Sequence, residues 1–151
     1  MIIERADLFR GLSEDFIKDV MNITMEESLG QGDILFHEGD NARHFYILLK
    51  GRVRLSTGKT GHMIHTVNRE GEAFGWSSLV GRDVYSASAE CAVPTTLLKI
   101  DSEELEKIVE KDLANGVIFY KDLAGTIGER LINSYNALLL MQPSEAHRSD
   151  R

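Results

Sequence analysis

Across residues 24–100, nine glycines fall at or between short β-rich runs, and this punctuation constrains the fold more than any other feature of the chain. They are Gly30, Gly32, Gly39, Gly51, Gly58, Gly61, Gly71, Gly75 and Gly81. Glycine supplies the positive φ that tight turns require. The clearest predicted strands are residues 45–49, 53–56, 62–67 and 96–100. Short strands with regular turn signals predict a sandwich or jelly roll here, not a parallel sheet with interleaved helices.

Helical periodicity frames this stretch. Leu8, Phe9, Leu12, Phe16, Ile17 and Val20 recur at helical spacing, and Ser13 is a candidate N-cap, so residues 13–22 are predicted as a short amphipathic helix. At Asp101 the pattern switches. Asp101-Ser102-Glu103-Glu104 puts acid at a helix start, followed by Leu105, Ile108 and Val109 on one face. Beyond it, Leu113, Val117, Tyr120, Ala124, Ile127, Leu131, Ser134, Leu138 and Met141 follow spacings of four and three. Such an a/d seam, about four heptads long, predicts a long helix that pairs with a second copy of the chain through residues 113–141. Gly116, Gly125 and Gly128 interrupt it as hinges or as close-packing points. Residues 143–151 are polar and read as a disordered tail, which leaves residues 1–142 as one domain.

Composition narrows the function classes. A chain of 151 residues with 42% hydrophobic content suits a single globular core. Its net charge of −7, without a sustained Lys/Arg stripe, argues against a nucleic-acid partner. A single cysteine, Cys91, rules out an internal disulfide or a four-cysteine metal site, and it reads as a small buried hydrophobe. The N-terminus is charged within its first five residues, and no apolar run suggests a leader or a membrane span, so a cytoplasmic protein is expected.

The stretch AFGWSSLVGRDVYSASA, residues 73–89, carries the functional signal. It resembles the phosphate-binding cassette of the cyclic-nucleotide-binding, or CRP/FNR-like sensor, superfamily. Phe74-Gly75 opens it, a short helical turn follows, Gly81 ends the turn, and Ser86-Ala87 leads into a small-residue strand. Gly32-Asp33, Glu38-Gly39-Asp40, the apolar run 45–49 and Lys50-Gly51 resemble the first half of that family's barrel. The resemblance covers about residues 8–141 and implies a double-stranded β-helix, or jelly roll. A short helix would precede it and two helices would follow, the last long and dimerising. It also implies a small-molecule sensor, with a cyclic nucleotide or another small anion as ligand.

Two positions depart from the family pattern. Where the family has the glutamate that holds the ribose hydroxyl, this chain has Trp76; where it has the phosphate-pairing arginine, this chain has Tyr85. A buried cyclic phosphate needs a charge-assisted partner, and a guanidinium serves two of its oxygens at once. A phenol offers one neutral donor, and an indole only donates. The remaining anion donors are the backbone N–H groups around Ser77-Ser78 and the Ser86 hydroxyl. Weak or absent binding of cyclic AMP and cyclic GMP is therefore expected.

Three further residues admit two readings each. Arg82 is either a solvated loop arginine or a substitute cation that swings in. Trp76 is either a lid or core aromatic, or a platform for a planar ligand. Ser134-Tyr135 fall where bacterial activators of the family often place two hydroxyl residues that reach the base across the dimer. The alternative is a polar seam residue that sets register beside a tyrosine packed on the barrel.

Three functions compete. The first is a dimeric sensor whose ligand repositions the helices after Asp101. The few residues after Met141 are too short for a DNA reader, so its output is expected to pass through a protein partner. The second is a scaffold of the same fold that has lost its ligand. The third is a cupin-type metalloenzyme using His37, His44, His62 or His65. His62 and His65, three apart on a strand, face opposite ways, and no His-x-His pair is present, so an enzyme is not expected.

Overall fold

In the computed structural model, which describes residues 3–141, two antiparallel four-stranded sheets pack face to face beneath three helices. The predicted tail, residues 143–151, lies outside the described residues. The strands are β1 (Thr24–Leu29), β2 (Ile34–Phe36), β3 (His44–Lys50), β4 (Val53–Thr57), β5 (His62–Val67), β6 (Ala73–Phe74), β7 (Ser88–Cys91) and β8 (Thr95–Asp101). Their order is β1-β8-β3-β6 in one sheet and β2-β7-β4-β5 in the other. This is the expected jelly roll, and the predicted strands agree with β3, β4, β5 and β8 to within a residue at either end.

The strand β3 shows why an unbroken apolar run was needed. Side chains alternate across a strand, so Phe45 and Ile47 face the helices while Tyr46 and Leu48 enter the barrel. Both faces are covered. The helix-side core gathers Phe9, Phe16, Phe45, Ile100 and Phe119; the barrel core gathers Phe36, Tyr46, Val53, Phe74 and Leu97. Cys91 is fully buried and free, packed as a small hydrophobe in β7.

Helix α1 (Glu14–Asn22) begins at Ser13, whose Oγ accepts the Phe16 N–H at 3.3 Å. Asp101 ends β8 and caps α2 (Ser102–Lys111), accepting the Glu104 N–H at 3.1 Å. Helix α3 (Leu113–Met141) runs the predicted length.

The face that α3 turns to the barrel overlaps the predicted seam only in part, with Tyr120 and Ile127 of the seam packed against the helix-side core. Gly116, Phe119 and Leu123 are the buried positions, with Phe119 wedged 5.6 Å from Phe9 and 6.3 Å from Phe45 between ring centres. Seam residues Leu113, Val117, Leu131 and Leu138 stay exposed. Gly116 is a close-packing point, since a Cβ there would lie 2.5 Å from Val109 Cγ1; Gly125 and Gly128 face open space. From Leu131 onward every described residue of α3 is exposed.

Candidate functional site

Gly75 shapes the start of the site. Its φ of +72° turns the chain out of β6, and a Cβ there would meet Tyr46 Cδ2 at 3.1 Å and Phe36 Cε2 at 3.3 Å. A side chain there would crowd both rings and strain the backbone at this positive φ. Trp76 follows, then a 3₁₀ turn over Ser77–Val80 that ends on Gly81 at φ +81°. The chain returns through a bridge between Asn41 and Val84 and enters β7.

Between this cassette and α3 lies a cavity of about 220 Å³. Phe36, Leu55, Ile64, Tyr85 and Ala87 give it apolar walls. The cassette adds Gly75, Trp76, Ser77 and Ser86; β5 adds His65, and α3 adds Arg130 and Ser134. An apolar body with a few convergent polar groups is the usual makeup of a small-molecule site.

The structure thus brings Gly75, Trp76, Ser77, Tyr85, Ser86, Ala87 and Ser134 together and places the other predicted site residues elsewhere. Phe74 is fully buried and stacks on Tyr46 in the barrel core. The Ser78 hydroxyl bonds to that of Ser102 at the start of α2. Arg82 is exposed on the far side of the turn, in a surface groove with Arg43 and Glu103. Tyr135 is exposed on α3 rather than packed on the barrel.

Tyr85 contributes a ring, not a donor. It stacks on Phe36 with centroids 3.7 Å apart, donates its hydroxyl proton to the His44 carbonyl at 2.7 Å and accepts the His44 N–H at 3.3 Å. Burial raises its phenol above the ordinary value, against those hydrogen bonds. The only phenolic proton is committed to β3. Ser134 likewise donates to the Arg130 carbonyl one turn earlier, at 3.0 Å.

Three groups at the site were not among the predicted ligand-binding residues: Arg130, Glu72 and His65, the last considered only as a metal ligand. The Arg130 guanidinium uses Nη2 to reach Glu72 Oε2 at 3.0 Å and the Ala73 carbonyl at 3.1 Å, and it lies over the Trp76 ring, 4.4 Å from its centre. Nη1 and Nε carry no hydrogen bond among the described residues. Glu72 Oε2 also meets His65 Nε2 at 2.7 Å, while Oε1 accepts the N–H groups of Asn68 and Arg69, each at 3.2 Å.

Burial alone would raise the Glu72 carboxyl. The hydrogen bonds from His65 and the Arg69 N–H, with the charge of Arg130, outweigh it and hold Glu72 below the usual carboxylate range. Burial lowers the Arg130 guanidinium against the attraction of Glu72. A usable signal lay in the i, i+4 spacing of Arg130 and Ser134, which places both on one helix face. No cluster of three His, Cys, Asp or Glu side chains able to hold a metal occurs among the described residues. No helix among them is long and apolar enough to cross a membrane.

A jelly roll with a glycine-bounded cassette and a helix-covered cavity defines a ligand-binding domain. The chain belongs to the cyclic nucleotide-binding domain family, whose model matches residues 26–112. It is 30% identical over 128 residues to human cGMP-dependent protein kinase 2, a match covering 75% of this chain and 17% of the kinase. It is 28% identical over 108 residues to the cyclic AMP receptor protein of Thermus thermophilus, covering 70% of this chain and 50% of that protein. A crystal structure of a cyclic nucleotide-binding domain from Methylobacillus flagellatus shares the fold with a TM-score of 0.79 at 20% identity, covering 95% of this chain and 82% of that one. The chain therefore spans half or less of these two curated relatives.

Proposed function

We propose that the protein is a regulatory module that binds a small anionic molecule between the cassette and α3, and that it performs no catalysis. The cavity carries this reading: cassette hydroxyls, an aromatic wall and one arginine converge on a single space. Cyclic AMP and cyclic GMP are weak ligands at best. Trp76 and Tyr85 stand where the family's ribose and phosphate contacts fall, and the Tyr85 hydroxyl is already engaged by His44.

The module works as a homodimer in the cytoplasm and signals to a protein partner rather than to nucleic acid. Support comes from the exposed apolar side chains of α3, from a buried free cysteine that suits a reducing compartment, and from the net charge of −7.

Thermal shift against cyclic AMP, cyclic GMP, 5′-AMP, phenyl phosphate and benzoate tests the binding reading. A ligand at about 100 times its Kd stabilises the folded state by about 2.7 kcal/mol. A clear rise in melting temperature with any of these supports a sensor; no rise with all five favours the ligand-free scaffold.

A further inference from the structure

Among the described residues one Lys or Arg lines the cavity, and it comes from α3 rather than from the cassette. Arg130 is the last residue of α3 that is not exposed; every described residue after it is. Its guanidinium is fixed on three sides, by the Glu72 carboxylate, the Ala73 carbonyl and the Trp76 ring face. Glu72 is itself held by two backbone N–H groups and His65, so the arrangement is pre-set by the barrel. All the polar bonds of Arg130 use Nη2, while Nη1 and Nε remain on a side chain that lines the cavity. Both fork edges of the guanidinium include the engaged Nη2, so Nη1 offers a carboxylate or phosphate oxygen a single charge-assisted contact rather than a bidentate one. The alternative cation, Arg82, points to another surface.

We propose that Arg130 receives the anionic group of the ligand. Glu72 and Trp76 are positioning residues for that arginine. This rests on reading the cavity as a ligand site. The cavity, open to solvent on one side, sets which part of a ligand can be enclosed. A dry cavity of about 150 Å³ accepts benzene. The roughly 220 Å³ present here holds one ring with a small charged group, against walls that are aromatic and aliphatic. An anion that presents one aromatic ring to these walls fits, and monocyclic aryl anions are the simplest of that class.

A ligand-independent test uses iodide, an anion that quenches tryptophan, against neutral acrylamide. Trp76 is the only tryptophan, so the signal reports on this site alone. If Arg130 gathers anions at the cavity, the ratio of iodide to acrylamide quenching should fall about threefold or more in Arg130→Gln and largely recover in Arg130→Lys, with urea midpoints confirming that both fold. An unchanged ratio overturns the inference.

The second measurement titrates phenyl phosphate and benzoate. Affinity should drop about thirtyfold or more in Arg130→Gln, the size expected when one partner of a buried charge contact is removed. Hydrogen exchange over residues 127–134 should slow on binding in the wild type and not in the variant. Equal binding by wild type and Arg130→Gln would sink the inference and leave the ligand site standing. Iodide selectivity without binding of any aryl anion or nucleotide would retain the anion-receiving arginine and remove the sensor reading.

Discussion

The guanidinium of Arg130 lies over the indole of Trp76, 4.4 Å from the ring centre, and joins the end of the buried part of α3 to the cassette. A partly desolvated cation–π contact contributes about 1–2 kcal/mol. Replacing Trp76 with leucine should therefore lower stability by about 1–2 kcal/mol in urea titration and speed hydrogen exchange in α3 beyond residue 127. Lost stability without faster exchange would mean that Trp76 serves the barrel and does not hold the helix.

Glu72 gives the fold a specific acid sensitivity. Its folded carboxyl titrates below the ordinary value of 4.5, so the unfolded chain binds the proton first as pH falls. The stabilisation is complete above 4.5 and is lost as pH drops through the lower folded value. At neutral pH, Glu72→Gln should be less stable than wild type by about 1–3 kcal/mol, the usual cost of a lost charge-assisted hydrogen bond. That gap should narrow below pH 4.5. Parallel stability curves from pH 7 to pH 3 would show that the carboxylate charge contributes nothing.

Two glycines of α3 should respond in opposite directions to alanine. Gly125 faces open space, so Gly125→Ala should stabilise by about 0.5–1 kcal/mol through helix propensity. At Gly116 the new Cβ would lie 2.5 Å from Val109 Cγ1 and push α2 from α3. Overpacking of this kind costs about 1–3 kcal/mol, more than the propensity gain. Melting temperatures that rise for both would mean that the helix pair is loose.

The barrel was legible because its signals are local. Glycine punctuation marked the turns, and the apolar run of residues 45–49 marked a strand buried on both faces. Ser13 and Asp101 marked helix starts through hydroxyl and carboxylate caps that need only three residues to act. The site was legible only where the cassette is contiguous. Arg130 and Glu72 lie 58 positions apart and meet through the docking of α3, which no local spacing encodes. The strict heptad pattern of α3 also drew attention from Phe119, which lies outside that pattern and anchors the helix to the barrel. Tyr85 was legible as a departure from the family pattern. Its hydroxyl partner, the backbone of His44, was not, because backbone acceptors leave no mark in a sequence.

The exposed seam predicts assembly without a cost to the single-chain fold. Leu131 is 49% exposed and shares its side of α3 with Leu138, at 59%. Leu131→Glu should change stability by no more than about 0.5 kcal/mol, as expected for a surface position. It should nevertheless convert a dimer to a monomer in analytical ultracentrifugation, since an apolar interface tolerates a buried carboxylate poorly. A dimer that survives the substitution would place the contact elsewhere.

Restoring the family's two polar contacts tests whether the cassette is a latent nucleotide site. Tyr85→Arg removes a ring stacked 3.7 Å from Phe36 and two hydrogen bonds to His44, so the variant should lose about 2–4 kcal/mol of stability. A buried charge-assisted phosphate contact is in turn worth about thirtyfold to several-thousandfold in affinity. In Trp76→Glu/Tyr85→Arg the new carboxylate falls where the indole now meets Arg130, 4.4 Å away, and pairs with it. That pairing draws the carboxylate from the ribose, so the gain for cyclic AMP should lie near thirtyfold. The double variant has no tryptophan, so calorimetric titration must read the affinity. Submicromolar binding by the wild type would refute the weak-binding reading and leave Arg130 as the residue that carries the phosphate. A gain confined to the double variant would establish a latent site, and no gain would mean that the Phe36–Tyr85 stack sets the shape of the cavity for a different ligand.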